Sequence, residues 1–121
     1  MKTILLVEDD PFLIDIYSTK LKDAGFAVET AQDGEEALRK TKDLMPDLLL
    51  LDIVLPTVNG WEVLREIKKD PRFNYLKIMV LSNLGEKEEI EKGLKNGATK
   101  YLVKAHYTPT EVIKQIKELL G

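Results

Sequence analysis

A chain of 121 residues, 44% apolar and 32% charged, is long enough to bury one real core and too short for two, so residues 1–121 are expected to form one domain. A formal charge of -3 with both signs scattered builds no basic footprint for nucleic acid, and no apolar run approaches the roughly 18 residues of a membrane helix. The absence of cysteine excludes disulfides and thiolate metal sites; with too short an apolar segment at the amino terminus for an export signal, a cytoplasmic location is expected.

Ile4-Leu5-Leu6-Val7 reads as a first strand, cut off by Glu8-Asp9-Asp10. Pro11 suits the first position of a helix that Asp10 can cap, and Leu13, Ile16, Tyr17, Leu21 and Ala24 follow at helical spacing until Gly25. Phe26 to Thr30 is more mixed, as expected for an edge strand. Asp33-Gly34 turns into a second helix with Ala37, Leu38, Thr41 and Met45 on its inner face. Leu48 to Leu51 is a continuous apolar run, the pattern of a strand covered on both faces, and Asp52 stands directly behind it. Pro56 and Asn59-Gly60 break that strand, and Trp61, Leu64 and Ile67 carry a third helix up to Asp70-Pro71. Residues 71 to 76 read as a linker. Ile78 to Leu81 is a second fully apolar strand ending in Ser82-Asn83. A fourth helix is expected from about Gly85 to Asn96, bearing Ile90 and Leu94, with Glu86-Lys87-Glu88-Glu89 as an exposed face. Tyr101-Leu102-Val103 forms the fifth strand, followed by Lys104. Thr108-Pro109-Thr110-Glu111 is a capping box opening a last helix lined by Val112, Ile113, Ile116 and Leu119.

Strand and helix thus alternate five times, which makes a parallel sheet with helices on both faces and every strand's carboxyl end on one edge. That edge is where open α/β sheets place their ligands. It gathers Glu8, Asp9, Asp52, Ser82 and Lys104. Taken alone, Glu8-Asp9-Asp10 reads as a solvated loop and helix cap; with Asp52 on the same edge, it reads as a cation site, because clustered carboxylates repel one another. Lys104 can neutralise one charge and a divalent cation the rest. With oxygen ligands only, that cation would be hard, and Mg2+ fits a site of one or two carboxylates, waters and a phosphate. A lysine and a hydroxyl are the other groups a phosphoryl needs, and a carboxylate attacking phosphorus in line would yield an aspartyl phosphate. His106 is the only histidine and cannot alone make a zinc site.

Val7-Glu8-Asp9-Asp10, Asp47 to Pro56, Asn59-Gly60, Leu81-Ser82 and Tyr101-Leu102-Val103-Lys104, in this order and spacing, resemble the receiver domain of two-component response regulators along the whole chain. The resemblance implies a flavodoxin-like doubly wound α/β fold with strand order 2-1-3-4-5. It implies Asp52 as phosphoacceptor, charged by a histidine kinase or phosphotransfer protein in the presence of Mg2+. Asp9 and Asp52 would ligate the ion, Glu8 would reach it mainly through water, and the Val54 carbonyl would complete the protein ligands. Ser82 and Lys104 would hold the phosphoryl oxygens, and Ser82 with Tyr101 would form the switch. The output would pass through helix four, strand five and helix five to a partner protein or to a phosphorylation-dependent homodimer, with no contact to nucleic acid or membrane. The chain would catalyse only its own phosphorylation and slow hydrolysis, which is not turnover in the ordinary sense.

Three departures stand out. The family usually has proline after the strand-five lysine, often behind a cis peptide, where this chain has Ala105; Lys104 is still expected to face Asp52. Asn83 replaces the small residue usual after the hydroxyl and is expected to restrict access to the phosphoryl group, and Val54 and Leu84 are expected to put apolar side chains near the mouth, which suggests a long-lived phosphoryl state. The rival readings are a degenerate receiver acting as a phosphorylation-independent interaction module and an aspartyl-phosphate hydrolase. The intact acidic set argues against the first. Against the second, Val54 stands where such hydrolases carry an acid, and a flavin module lacks a glycine-rich phosphate cradle here.

Overall fold

The apolar runs become β1 (Thr3–Val7), β2 (Ala27–Ala31), β3 (Leu48–Leu51), β4 (Lys77–Ser82) and β5 (Lys100–Val103). In the computed structural model, which describes residues 1–121, they join in one parallel sheet of order β2-β1-β3-β4-β5. The crossovers are α1 (Pro11–Asp23), α2 (Gly34–Leu44), α3 (Gly60–Lys69) and α4 (Lys87–Lys95), and α5 (Pro109–Leu120) closes the chain. No helix is long and apolar enough to cross a membrane.

The pleat divides the buried strands between two cores. Leu49 and Leu51 join Leu5, Val7, Ile78 and Val80 under α2 and α3, while Leu48 and Leu50 join Ile4, Leu6, Met79 and Leu81 under α1 and α5. Each leucine of β3 is essentially fully buried, a contribution of about 2 kcal/mol apiece. Register then decides where the polar residues fall. Val7 pairs with both Ala31 and Leu51, and Leu51 with Val80, so β1, β2, β3 and β4 run in step. Glu8 and Asp52 emerge side by side, tied by Glu8 N–H to the Ala31 carbonyl (3.0 Å) and Asp52 N–H to the Val7 carbonyl (3.1 Å).

The helix starts follow the expected chemistry. Asp10 accepts from Phe12 N–H (2.9 Å), and Thr108 and Glu111 form the reciprocal capping box (3.1 and 2.8 Å). Asp33 and Asn59 cap α2 and α3 in the same way.

Four expectations are corrected. Met45 does not face the core: it takes the left-handed position that ends α2 (φ 48°) and is exposed. Leu94 points outward, and α4 buries Gly93 instead. α4 also begins at Lys87 rather than near Gly85, since Glu86 is still extended (φ -65°, ψ 144°). The stretch from 71 to 76 is more than a linker: a 3-10 turn at Pro71–Phe73 drops Phe73 and Leu76 into the core.

Candidate functional site at the carboxyl ends of the strands

A pocket of about 290 Å³ opens at the carboxyl edge of the sheet, lined by Glu8, Asp9, Asp10, Leu13, Asp52, Val54, Asn83 and Lys104. β1 delivers the first three acids, β3 delivers Asp52, and the turn after β5 delivers Lys104 from the opposite side. Residues Lys104–His106 form a single 3-10 turn with no cis peptide, so Ala105 follows Lys104 through a trans bond. The ammonium nevertheless faces inward: Lys104 Nζ donates to Asp52 Oδ2 at 2.8 Å and to Glu8 Oε2 at 2.6 Å. Val54 N–H donates to the other Asp52 oxygen at 3.2 Å, and Asp10 N–H to Glu8 Oε1 at 3.3 Å. Asp52 is thereby held at both oxygens.

One ammonium among four carboxylates leaves this pocket strongly negative. Glu8 is only 3% exposed, and burial pushes its carboxyl up from the ordinary range; the Lys104 bond pulls the other way and the Asp52 charge adds to the rise. Burial also works against the charge on Lys104, yet its bonds to Asp52 and Glu8 outweigh that and hold the ammonium above the usual lysine value. Glu8, Asp9 and Asp52 each offer one carboxylate oxygen, all within 4.8 Å of one another. Hard oxygen donors beside a single buried ammonium fit a divalent cation by donor chemistry and by charge.

Most of the expected residues meet here, with differences. Ser82 ends β4 fully buried and is not among the groups lining the pocket; its Oγ accepts from Leu84 N–H at 3.3 Å. Leu84 does not flank the mouth: it packs on the core beside Tyr101, whose hydroxyl donates to the Leu84 carbonyl at 2.6 Å. Asn83 and the exposed Val54 do stand at the mouth, and His106 is on the surface away from it. The Lys104 to Glu8 bond was not foreseen from the sequence. A glutamate directly after an apolar strand is its signal, since one so placed is buried and requires a partner.

A doubly wound parallel sheet of order β2-β1-β3-β4-β5, with an acidic, lysine-spanned pocket at its carboxyl edge, defines the flavodoxin-like α/β class. The family model of the response regulator receiver domain matches residues 4–117, and this chain belongs to that family. It is 40% identical over 120 residues to a CpxR homolog, a transcriptional regulatory protein of Haemophilus influenzae, covering 99% of this chain and 51% of that protein. The chain spans about half the length of such curated relatives. Among solved structures, the chemotaxis response regulator CheY4 of Vibrio cholerae superposes with a TM-score of 0.90 at 30% identity over 98% of both chains. The BeF3-activated N-terminal receiver domain of Klebsiella pneumoniae RstA gives 0.87 at 26% identity over 95% of both.

Proposed function

We propose that this receiver domain takes a phosphoryl group onto Asp52 from a phosphohistidine of a histidine kinase or phosphotransfer protein. The observation that carries the reading is the pairing at Asp52: its carboxylate is fixed at the rigid end of β3 by Lys104 and Val54 N–H, with Glu8 and Asp9 within reach of the same point. An Asp52 oxygen attacks phosphorus as the bond to the donor's imidazole nitrogen breaks, that nitrogen keeping the electron pair. Lys104 then pairs with the phosphoryl oxygens, and Ser82 turns its hydroxyl toward them. Glu8, Asp9, Asp52 and the Val54 carbonyl would hold Mg2+, which supplies neutralising charge at the transferring group. Receiver domains are signalling modules rather than classical enzymes, and here the bound phosphoryl group would favour the conformation with Tyr101 inward, changing the α4, β5 and α5 surface that a partner reads. A downstream protein or a second copy of the chain is that partner.

Mg2+ leads to a stability prediction. Asp9 is exposed and adds a like charge beside Glu8 and Asp52. Asp9→Asn is expected to raise the metal-free stability by about 0.5–1 kcal/mol, because function and not folding keeps the third acid. It should also remove most of the upward shift in urea midpoint that Mg2+ gives the wild type; a shift of unchanged size would exclude Asp9 from the ion.

The central test is intact-mass spectrometry after acetyl phosphate with Mg2+. Wild type should gain one phosphoryl mass and Asp52→Asn none. A gain that survives the substitution would place the acceptor elsewhere, and no gain in wild type would leave a phosphorylation-independent interaction module.

A further inference from the structure

Gly93 sits inside α4, where helix propensity disfavours it, and it is buried. What its missing side chain admits is an aromatic ring. A Cβ at Gly93 would lie 2.6 Å from Cδ2 and 3.1 Å from Cε2 of Tyr101, and 3.6 Å from Cζ3 of Trp61. The Tyr101 ring therefore rests on bare helix backbone, with Trp61 of α3 as the adjoining wall. Lys92, the residue before it in α4, stacks its ammonium 4.5 Å from the centre of the Trp61 ring, which helps hold α4 against α3.

From this slot a continuous polar link runs to the sheet edge. The Tyr101 hydroxyl donates to the Leu84 carbonyl, and the Leu84 amide donates to Ser82 Oγ at the end of β4. A methyl group at position 93 would meet ring carbons rather than the tip of a flexible chain. At 2.6 Å the ring has to shift off the helix, which draws its hydroxyl away from the Leu84 carbonyl.

We propose that Gly93 is a positioning residue for Tyr101: the uncovered backbone at this point of α4 admits the ring in its inward position and so favours the conformation in which the Asp52 site holds a phosphoryl group. The link to Asp52 rests on the function proposed above; the slot does not. A site whose competent conformation is populated to a smaller fraction binds its ligand more weakly by that same fraction. Gly93→Ala therefore acts at Asp52 without touching the pocket.

The test compares wild type, Gly93→Ala, Tyr101→Ala and the double variant with two readouts. The first is the hydroxyl titration of Tyr101, followed by carbon NMR of labelled tyrosine. Burial, as the largest cause, holds this group above the ordinary tyrosine value in the wild type, and Gly93→Ala should return it toward that value. The second is beryllofluoride binding with Mg2+. Gly93→Ala should bind at least fivefold more weakly than wild type, whereas adding it to Tyr101→Ala should change affinity less than twofold. An unmoved titration with unchanged affinity overturns the proposal, as does an equal loss in both backgrounds, which would route the effect around Tyr101. A wild-type chain that takes up no beryllofluoride marks failure of the function proposed for Asp52, and the titration then decides on the slot alone.

Discussion

Gly34→Ala is expected to lower the unfolding free energy by about 3 kcal/mol, a steric cost rather than one of backbone preference. Gly34 opens α2 just after its cap Asp33, and an added Cβ would fall 1.7 Å from the Val58 carbonyl oxygen and 2.5 Å from its carbon. Backbone lies at both ends of that clash, so no rotamer relieves it. The loop after Asp52 is stitched to the start of α2 at this point: Gly34 N–H donates to the Pro56 carbonyl (3.2 Å), Glu35 N–H to Thr57 Oγ1 (3.3 Å), and the Thr57 hydroxyl to Asp33 (3.3 Å). Moving Val58 far enough to admit a methyl strains or breaks these bonds, each worth about 1 kcal/mol. The gain in helix propensity offsets less than 1 kcal/mol. Gly25→Ala is the control, because Gly25 has φ +96° with nothing within 4 Å of the added Cβ. Its cost is conformational only, about 1 kcal/mol. Urea denaturation of the two variants checks the ordering; a smaller loss for Gly34→Ala than for Gly25→Ala would mean that the loop yields freely.

The same loop shows where sequence patterns stop. Asn59-Gly60 announced a break after β3, and Asp33-Gly34 a helix start, because turn and cap residues act through their own neighbours. Nothing local says that these two places touch, since the contact between Gly34 and Val58 joins separate crossovers. The four leucines of β3 were legible for the opposite reason: a strand with apolar residues at every position has both faces covered wherever it lies. Phe73 and Leu76 were missed as core because they follow Pro71 and obey neither helical nor strand spacing. Leu94 follows Ile90 at helical spacing yet lies exposed; the buried position is Gly93, whose lack of a side chain hides it from any hydrophobic pattern. That Asp52, Glu8, Asp9 and Lys104 would gather at one edge followed from the alternation of strand and helix, which puts every strand's carboxyl end on the same side. Which oxygen takes which donor did not, because the reach of a lysine is set by the turn it stands on.

Lys104→Met carries the other large effect. The substitution keeps the aliphatic length and removes the one ammonium bonded to both Asp52 and Glu8, whose side chains are only 8% and 4% exposed. Removing one partner from a buried ion pair costs about 3–5 kcal/mol, because the charge left behind has lost water and gained nothing. Two such charges would remain, each with one backbone N–H and at distances over 3 Å. Protonation limits the loss, since burial already raises the Glu8 carboxyl and the missing ammonium no longer opposes it. A destabilisation of about 3 kcal/mol at pH 7 without divalent cations is therefore expected. Its pH dependence has a definite sign. The Glu8 carboxyl, raised by burial and no longer opposed by the ammonium, destabilises the folded variant at neutral pH and is relieved as pH falls through its folded value, so the deficit against wild type should shrink toward pH 5. In the wild type the raised Lys104 contributes stability that is fully present below the ordinary lysine value of about 10.4 and is lost as pH climbs through the folded one. A deficit that grows on acidification would contradict this account. Mg2+ gives the second arm: if Glu8, Asp9 and Asp52 hold the ion, millimolar Mg2+ should restore more stability to Lys104→Met than to wild type, since it replaces charge that the variant lacks. If Asp52 is the acceptor proposed above, its labelling by acetyl phosphate should still fall about 100-fold, because the ion would not replace an ammonium opposite the phosphoryl oxygens. Labelling at the wild-type rate would remove Lys104 from the transfer and leave it as the counterion of Glu8.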